Sequence, residues 1–247
     1  MLRLAALAAA LVTVALPVAA CSMSWSDDDD GQESAATSGD GGTRRYAIRD
    51  FDAIALAGSG DVNVRVGGDW SVTATGTPAA LDKLAITRDG DTLKLGRKRG
   101  IQWTGTDKVR FAVTMPRITG ASIGGAGSIV VDRVAGGDFE GNIGGSGKLD
   151  IRGLQVNKTE FSIGGSGNVL AAGRTRSLEI NIGGSGDVRA QSLSSETADI
   201  TIAGAGNVDA TASAHADITI LGSGNVNVGG GAKCSTTKMG AGRVRCG

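Results

Sequence analysis

The residues of this sequence that could do chemistry are first of all its glycine clusters. The segment Gly144–Leu149 (GGSGKL) has the Gly-Lys pair of a phosphate-binding loop, in which backbone amides surround a phosphate and the lysine neutralises it. That motif also needs a glycine five residues before its last one and a serine or threonine after the lysine. Asn142 and Leu149 stand at those places. The sequence therefore argues against a nucleotide site.

A second possible chemistry for these clusters is calcium binding. The segment GGSGDV (183–188) is similar to the GGxGxD units of calcium-binding nonapeptide repeats. Its sixth position is aliphatic, however, and the residue after the motif changes from copy to copy: Ser128, Lys148, Asn168, Asp187, Asn207, Asn225 and Arg243. Calcium needs several oxygen ligands at one site. We therefore expect no metal ion and no other cofactor.

Side chains suited to acid–base catalysis are few. His215 is the only histidine, and the acids Asp132, Asp150, Asp187 and Asp209 fall at different distances from the glycines. A polysaccharide lyase or hydrolase would need clustered carboxylates or basic groups in a groove. The sequence thus predicts a non-catalytic protein, and a polysaccharide-acting β-helix enzyme is the alternative.

The glycine motif is repeated, which favours a structural role. The second glycine of each Gly-small-Gly copy stands at 127, 147, 167, 186, 206, 224 and 242, at intervals of 20, 20, 19, 20, 18 and 18 residues, and an outlying copy ends at Gly60. A tight corner requires glycine where φ is positive or where a Cβ does not fit. The predicted turn glycines are Gly125, Gly127, Gly145, Gly147, Gly165, Gly167, Gly184, Gly186, Gly204, Gly206, Gly222 and Gly224.

The elements around these glycines are predicted to be strands. Aliphatic residues stand at even distances from the second glycine, so they share one strand face. One such column is Ile123, Ile143, Ile163, Ile182, Ile202 and Ile220. A single repeat cannot bury this face alone, but stacked repeats can. The predicted fold is all-β: a right-handed parallel β-helix (solenoid) of ~20-residue coils with an irregular N-terminal β capping segment.

Between the aliphatic residues runs a column of small polar ones: Ser122, Asn142, Ser162, Asn181, Thr201 and Thr219. This strip could bind a glycan or an envelope protein. It could equally be a solvated face, and the sequence favours that interpretation. The basic segments RKR (97–99) and RTR (174–176) could meet anionic glycans or lipid headgroups, or be scattered solvated charge. Nucleic acid is not an expected partner of an exported protein.

The beginning of the chain predicts export and anchoring. Residues 1–20 form a signal peptide, with a basic start, a short apolar run and small residues before Cys21. The segment VAAC (18–21) resembles a lipobox, which makes Cys21 a lipidated N-terminus, and ordinary cleavage at the same bond is the alternative. Residues 21–45 are predicted to be this lipidated end and a flexible acidic tether. Ser22 suggests an outer-membrane position, with the protein facing the periplasm or the cell surface.

The rest of the chain divides into an N-terminal β segment (46–118) and β-helix repeats with a disulfide cap (119–247). Of the three cysteines, lipidation accounts for Cys21. Cys234 and Cys246 stand at even distances from Gly242, so both are predicted to point inward and to form a disulfide that closes the last coil. Two unpaired buried cysteines are the alternative.

Three segments together carry a resemblance. They are the opening FDAIALAGSGDVNV (51–64), the segment DGDTLKL (89–95) and the serial IGGSGxV units. Over about residues 46–230 the sequence resembles the head GIN domain family of auto-transporter adhesins, a bacterial domain of unknown function. The resemblance implies a β-helical fold in cell-envelope proteins and an adhesin-like role, and it carries no catalytic residues.

Overall fold

Backbone hydrogen bonds between successive coils join the strands of this chain into one sheet. The computed structural model describes residues 33–39, 41–98 and 108–247. Within them the fold is a β-solenoid of about 6 turns with stacked parallel coils. The predicted all-β solenoid is therefore confirmed. The signal peptide and Cys21 lie outside the described residues.

The strands alternate with short corners along the chain. The N-terminal elements are β1 (Glu33–Ser34), β2 (Ala36–Ser38), β3 (Thr43–Ala47), β4 (Ala53–Leu56), β5 (Asp61–Val66), β6 (Ser71–Thr75), α1 (Pro78–Leu81), β7 (Leu84–Asp89), β8 (Thr92–Arg97) and β9 (Arg110–Met115). The C-terminal elements are β10 (Gly120–Ile123), β11 (Ser128–Val131), β12 (Val134–Ile143), β13 (Lys148–Ile163), β14 (Asn168–Ile182), β15 (Asp187–Ile202), β16 (Asn207–Gly222), β17 (Asn225–Gly229), β18 (Lys233–Gly240) and β19 (Arg243–Cys246).

Each repeat contributes a strand, a glycine corner and a second strand, after which the chain turns again at a second corner. The strands β13 to β16 continue across this second corner. Register between neighbouring coils is kept at the glycine corner and shifts at the second corner, for example between Ile151 and Leu154 and between Ala190 and Ser194. The second corner is therefore the irregular part of each coil.

The core is a set of aliphatic columns that run the length of the solenoid. Ile123, Ile143 and Ile163 pair in register, and the column continues through Ile182, Ile202 and Ile220. All six side chains are buried. Burying an isoleucine side chain contributes about 1.5–3 kcal/mol, so these columns, rather than any single coil, stabilise the stack.

The N-terminal segment is part of the stack. β4 and β5 pair in parallel with β10 and β11, which places the outlying glycine motif next to the first regular one. On their other side β4 and β5 pair in parallel with β8 and β9. The coils therefore follow a spatial order that differs from their order in the sequence.

Antiparallel strands complete the N-terminal end. β6 pairs with β9, β3 with β6, and β7 with β8. The short helix α1 follows Thr77, whose hydroxyl accepts from the Ala80 amide at 3.2 Å. Among the described residues, no helix is long and apolar enough to cross a membrane.

The sequence assigned residues 21–45 to a flexible tether, and that boundary is wrong. β1, β2 and the start of β3 lie inside this range, and β2 pairs with β3 so that Thr37 faces Tyr46. These residues lack the aliphatic alternation that predicts strands. They become strands because the edges of β3 and β7 offer unpaired backbone groups, and Tyr46 supplies the buried side chain.

Candidate functional site

The glycine corners are built from backbone packed against backbone. At the first glycine of each corner, a Cβ would lie closer than 3.0 Å to the carbonyl group of the equivalent glycine in the preceding coil; Gly184 would meet Gly165 in this way. At the second glycine it would meet an isoleucine or leucine side chain of the core, as at Gly147, where Ile123 Cγ2 would be 2.5 Å away. Lack of room for a Cβ therefore explains the turn glycines. A positive φ occurs at Gly222 only among the twelve.

Alternate amides of the corners donate hydrogen bonds to carbonyls of the preceding coil. In the GGSGKL segment, Gly144 donates to Ile123 O at 2.9 Å, Ser146 to Gly125 O at 3.0 Å and Lys148 to Gly127 O at 3.0 Å. A phosphate loop needs such amides to point freely at its ligand. Here they hold coil to coil, so the corners are scaffold.

The polar column lies in register, as the sequence predicted. Ser122 pairs with Asn142, and the column continues through Ser162, Asn181, Thr201 and Thr219. Its asparagines bond to acidic side chains beside them: Asn142 Nδ2 donates to Glu140 Oε1 at 2.7 Å and Asn181 Nδ2 to Glu179 Oε1 at 3.2 Å. Two of the six side chains in the strip are thus bonded within the solenoid itself.

Those acidic partners form a ladder that the sequence analysis missed. Register partners in successive coils are Glu140, Glu160, Glu179, Asp199 and Asp217. The sequence analysis compared other acids, which stand near the corners, whereas this column stands seven residues before the second glycine. The common distance from the glycine was the signal that could have found it.

The carboxylates of the ladder differ in their charged neighbours. Lys158 Nζ lies 3.2 Å from Glu160 Oε2 and 2.9 Å from Glu179 Oε2. Hydrogen bonding to Lys158 holds the pKa of Glu179 below its usual value, while the pKa of Asp199 is raised, first by desolvation and then by the charges of Glu179 and Asp217. His215 Nε2 lies 3.1 Å from Asp217 Oδ2.

The ladder does not converge on a point. Its carboxylates project side by side from successive coils, and within the described residues no group of three or more His, Cys, Asp or Glu side chains is placed to hold a metal ion. The ladder therefore offers no point at which several carboxylates could meet one small ligand.

A groove with a volume of about 520 Å³ lies at the second corner. Coil length varies only at this corner. Between the paired core positions, seven residues separate Ile151 from Thr159, six separate Ala171 from Leu178 and seven separate Ala190 from Ala198. The turn around Thr175 is thus one residue shorter than both neighbours, and it contributes Arg174, Thr175 and Arg176 to the groove. The irregular interval of 19 residues between glycine motifs was the sequence signal for this feature.

The groove crosses several coils, and most of its lining residues carry polar side chains. Its lining residues are Gly136, Gln155, Val156, Asn157, Arg174, Thr175, Arg176, Ser194, Ser195, Glu196 and Ser213. Arg174 and Arg176 are exposed on either side of the buried Thr175, so both side chains point outward into the groove. Gln155, Arg174 and Ser194 are register partners in three successive coils.

Buried hydroxyls fix the floor of the groove. Thr175 Oγ1 lies 3.2 Å from Asn157 O and 3.0 Å from Ser177 O, and it donates its proton to one of these carbonyls. Ser195 Oγ donates to Thr211 O at 2.8 Å. The backbone that carries the two arginines is therefore held in place before any ligand arrives.

The predicted cysteine pair stands at the other end of the solenoid. Cys234 and Cys246 are register partners of Ala216 and Val228, which are buried. Their Cα atoms are 6.5 Å apart, a separation that permits the predicted disulfide. Both therefore stand on the inward-facing columns, but Cys246 is exposed and Cys234 half-buried. Among the described residues no further coil pairs with β18 and β19, and Lys238 Nζ there donates to Gly242 O at 2.9 Å.

Solved structures with the same fold come from Bacteroides and Parabacteroides species. A "putative adhesin" from Bacteroides fragilis NCTC 9343 has a TM-score of 0.77 at 19% identity, covering 85% of this chain and 98% of its own. A "putative lipid binding protein" from Parabacteroides distasonis ATCC 8503 has a TM-score of 0.65 at 20% identity, with 89% and 98% covered. At these identities the likeness shows the fold alone.

Sequence comparison is more specific. No curated protein sequence matches the chain. A family model does, over residues 50–232, and its description is "Putative auto-transporter adhesin, head GIN domain". These residues contain the outlying glycine motif, the coils β4–β5 and β8–β9, and all but the last coil of the solenoid. The chain therefore belongs to the head GIN domain family of auto-transporter adhesins.

Proposed function

We propose that this chain is a cell-envelope lipoprotein whose solenoid is a non-catalytic, adhesin-like binding module. The observation that carries the proposal is the groove at the second corner, which is lined mostly by polar side chains. The glycine corners and the aliphatic columns form the scaffold that holds it. The names of the structural relatives, which include adhesins, support a binding role. The partner is an envelope glycan or an envelope protein.

Export and anchoring belong to the same proposal. Residues 1–20 direct export, Cys21 carries lipid, and the protein resides at the outer membrane on its periplasmic or surface side. Twelve residues lead from Cys21 to Glu33, which is a reach of at most about 40 Å. The solenoid can therefore stand clear of the bilayer and present its groove.

The anchor is tested by fractionation of the producing cells. The full chain should pellet with membranes, and Cys21→Ser should move it to the soluble fraction, because stable attachment rests on the acyl chains. Ser22→Ala, which keeps the cysteine, is the control. Membrane association that survives Cys21→Ser would refute lipid anchoring.

The groove is tested with a variant that fills it. Purified Cys21→Ser chain is incubated with polysaccharide isolated from the envelope of the producing cells, and the bound fraction is measured. Ser194→Trp, which puts a large side chain beside Arg174, should abolish retention. Ser71→Trp, exposed on β6 at the N-terminal end, should not.

Two results would overturn this proposal. Retention that is unchanged by Ser194→Trp would show that the groove is not the binding surface. New reducing ends released from the polysaccharide would show a polysaccharide-acting enzyme instead of a non-catalytic module.

A further inference from the structure

We propose that the groove takes an anionic polysaccharide, and that Arg174 and Arg176 bind acidic groups on its sugars. This inference rests on the proposed binding function and names the ligand class for the same groove. Five features of the groove support it: its length, its two arginines, the acid beside them, the lack of aromatic side chains and the small apolar area.

The length of the groove fits a chain. Its lining residues run from Gly136 through Val156, Thr175 and Ser195 to Ser213, one in each of five successive coils. Coils stack at about 4.8 Å, so the groove extends about 19 Å across them. It is open to solvent along this length, which suits an extended oligosaccharide better than a single small molecule.

The arginines supply the charge. Arg174 and Arg176 are two residues apart on an extended backbone, so their Cα atoms are about 7 Å apart. Neither forms an ion pair with another residue in the described part of the chain. A guanidinium binds carboxylate or sulfate through two parallel hydrogen bonds. Two such groups on one strand can hold two acidic groups of one polymer.

Glu196 restricts which polyanion is accepted. It lines the same groove as the arginines and brings a negative charge to it. A densely charged chain such as polyphosphate would be repelled there, whereas a sugar hydroxyl can donate a hydrogen bond to the carboxylate. Gln155, Asn157 and Ser194 offer further donors and acceptors. The groove thus combines sites for acidic groups with sites for hydroxyls.

Neutral sugars and lipids fit less well. None of the groove's lining residues is aromatic, so stacking on a sugar ring contributes nothing and the ionic contacts have to supply the affinity. Val156 is the one large apolar residue of the lining and is half-buried. An acyl chain would find little apolar surface to cover.

The test measures binding of defined probes to the full chain carrying Cys21→Ser. A short oligogalacturonate should bind, and a neutral maltooligosaccharide of the same length should not. Arg174→Gln and Arg176→Gln should each weaken binding about tenfold or more, since each removes a charge-assisted contact. Arg65→Gln with Arg245→Gln, two exposed arginines outside the groove, should leave affinity within about twofold. Added salt should weaken binding.

All four arginines are exposed, so replacing them should leave the fold intact. Circular dichroism checks that each variant is folded. Equal affinity for the neutral oligosaccharide would overturn the inference, as would equal loss in the Arg65→Gln/Arg245→Gln control. Vesicles of phosphatidylglycerol that bind more tightly than the oligogalacturonate would identify a lipid ligand instead. If Ser194→Trp abolishes retention of envelope polysaccharide while the arginine variants do not, the proposed function stands and this inference falls.

Discussion

Replacing Gly184 by alanine should destabilise the solenoid by an amount that the corner geometry sets. The new Cβ would overlap the carbonyl of Gly165 and lie 3.0 Å from Gly164 O. Because backbone from two coils meets there, the clash cannot be relieved by turning a side chain. The coils have to separate locally, which weakens the hydrogen bonds from Ser185 to Gly165 O and from Ala205 to Gly184 O, both 3.0 Å long.

The expected cost follows from these contacts. Overpacking a rigid site costs about 1–3 kcal/mol, and each weakened backbone hydrogen bond adds up to about 1 kcal/mol. We therefore expect a loss of about 2–4 kcal/mol in the free energy of unfolding. For a domain of this size 1 kcal/mol corresponds to roughly 2–4 °C, so the Tm should fall by roughly 5–15 °C.

The matched control is the preceding residue. A Cβ at Gly183 would meet nothing closer than Ile163 O at 3.9 Å, and Ala203, Leu221 and Met239 occupy that position in later copies. Gly183→Ala should therefore leave the Tm nearly unchanged or raise it slightly. Thermal unfolding followed by circular dichroism compares both variants with the parent. A Gly184→Ala protein that melts with the parent, or a Gly183→Ala protein that loses as much, would refute this account of the corner.

Three further predictions concern other parts of the fold. Replacing Cys234 and Cys246 by alanine should cost about 3 kcal/mol through the freed unfolded chain, and thiol labelling of the denatured, non-reduced Cys21→Ser chain should find no free thiol; two would refute the disulfide. Asp199→Asn should raise the Tm at pH 7, because the raised pKa of Asp199 means that its charge opposes folding. This gain should shrink as the pH falls through the raised pKa and vanish below the ordinary aspartate pKa of about 3.9; a gain undiminished at pH 3 would contradict the assignment. Calcium or ATP should leave the Tm of the wild-type chain unchanged, and a rise would show that the corners bind a ligand.

The regular part of this fold could be predicted because its causes are local. Aliphatic residues at even distances from a glycine specify which strand face is buried. Burial of the Ile123 column can therefore be predicted from each repeat by itself. The turn glycines can also be predicted from the repeats. The position before each Gly-x-Gly can hold a large residue such as Leu221, whereas the first and third positions of the pattern are glycine in every copy.

The remaining features depend on comparisons between distant segments. Glu140 and Asp217 are recognised as members of one ladder only when the coils are aligned. The groove is lined by residues of several coils, so it too appears only after alignment. β8 pairs with β4, which lies about forty residues earlier in the chain. The alternation of apolar and polar residues predicts the strands but does not indicate which strands pair. The exposure of Cys246 could not be predicted either, because periodicity places it on a buried column together with Val228.

The difference between spatial and sequence order of the first coils determines how the chain can fold. The coil of β4 and β5 is covered on one side by β8 and β9 and on the other by β10 and β11. These three layers, the first platform, can form only when residues up to Val131 are present. Because their pairing closes long loops, we expect their formation to be the slow step of folding. Every later coil contacts the one just before it, about 20 residues upstream, and can add as soon as the chain emerges. Synthesis of the chain from its N-terminus thus delivers the platform first and a template for sequential growth afterwards. Truncation after any later coil should leave a shorter folded protein, whereas loss of β8 and β9 should leave none.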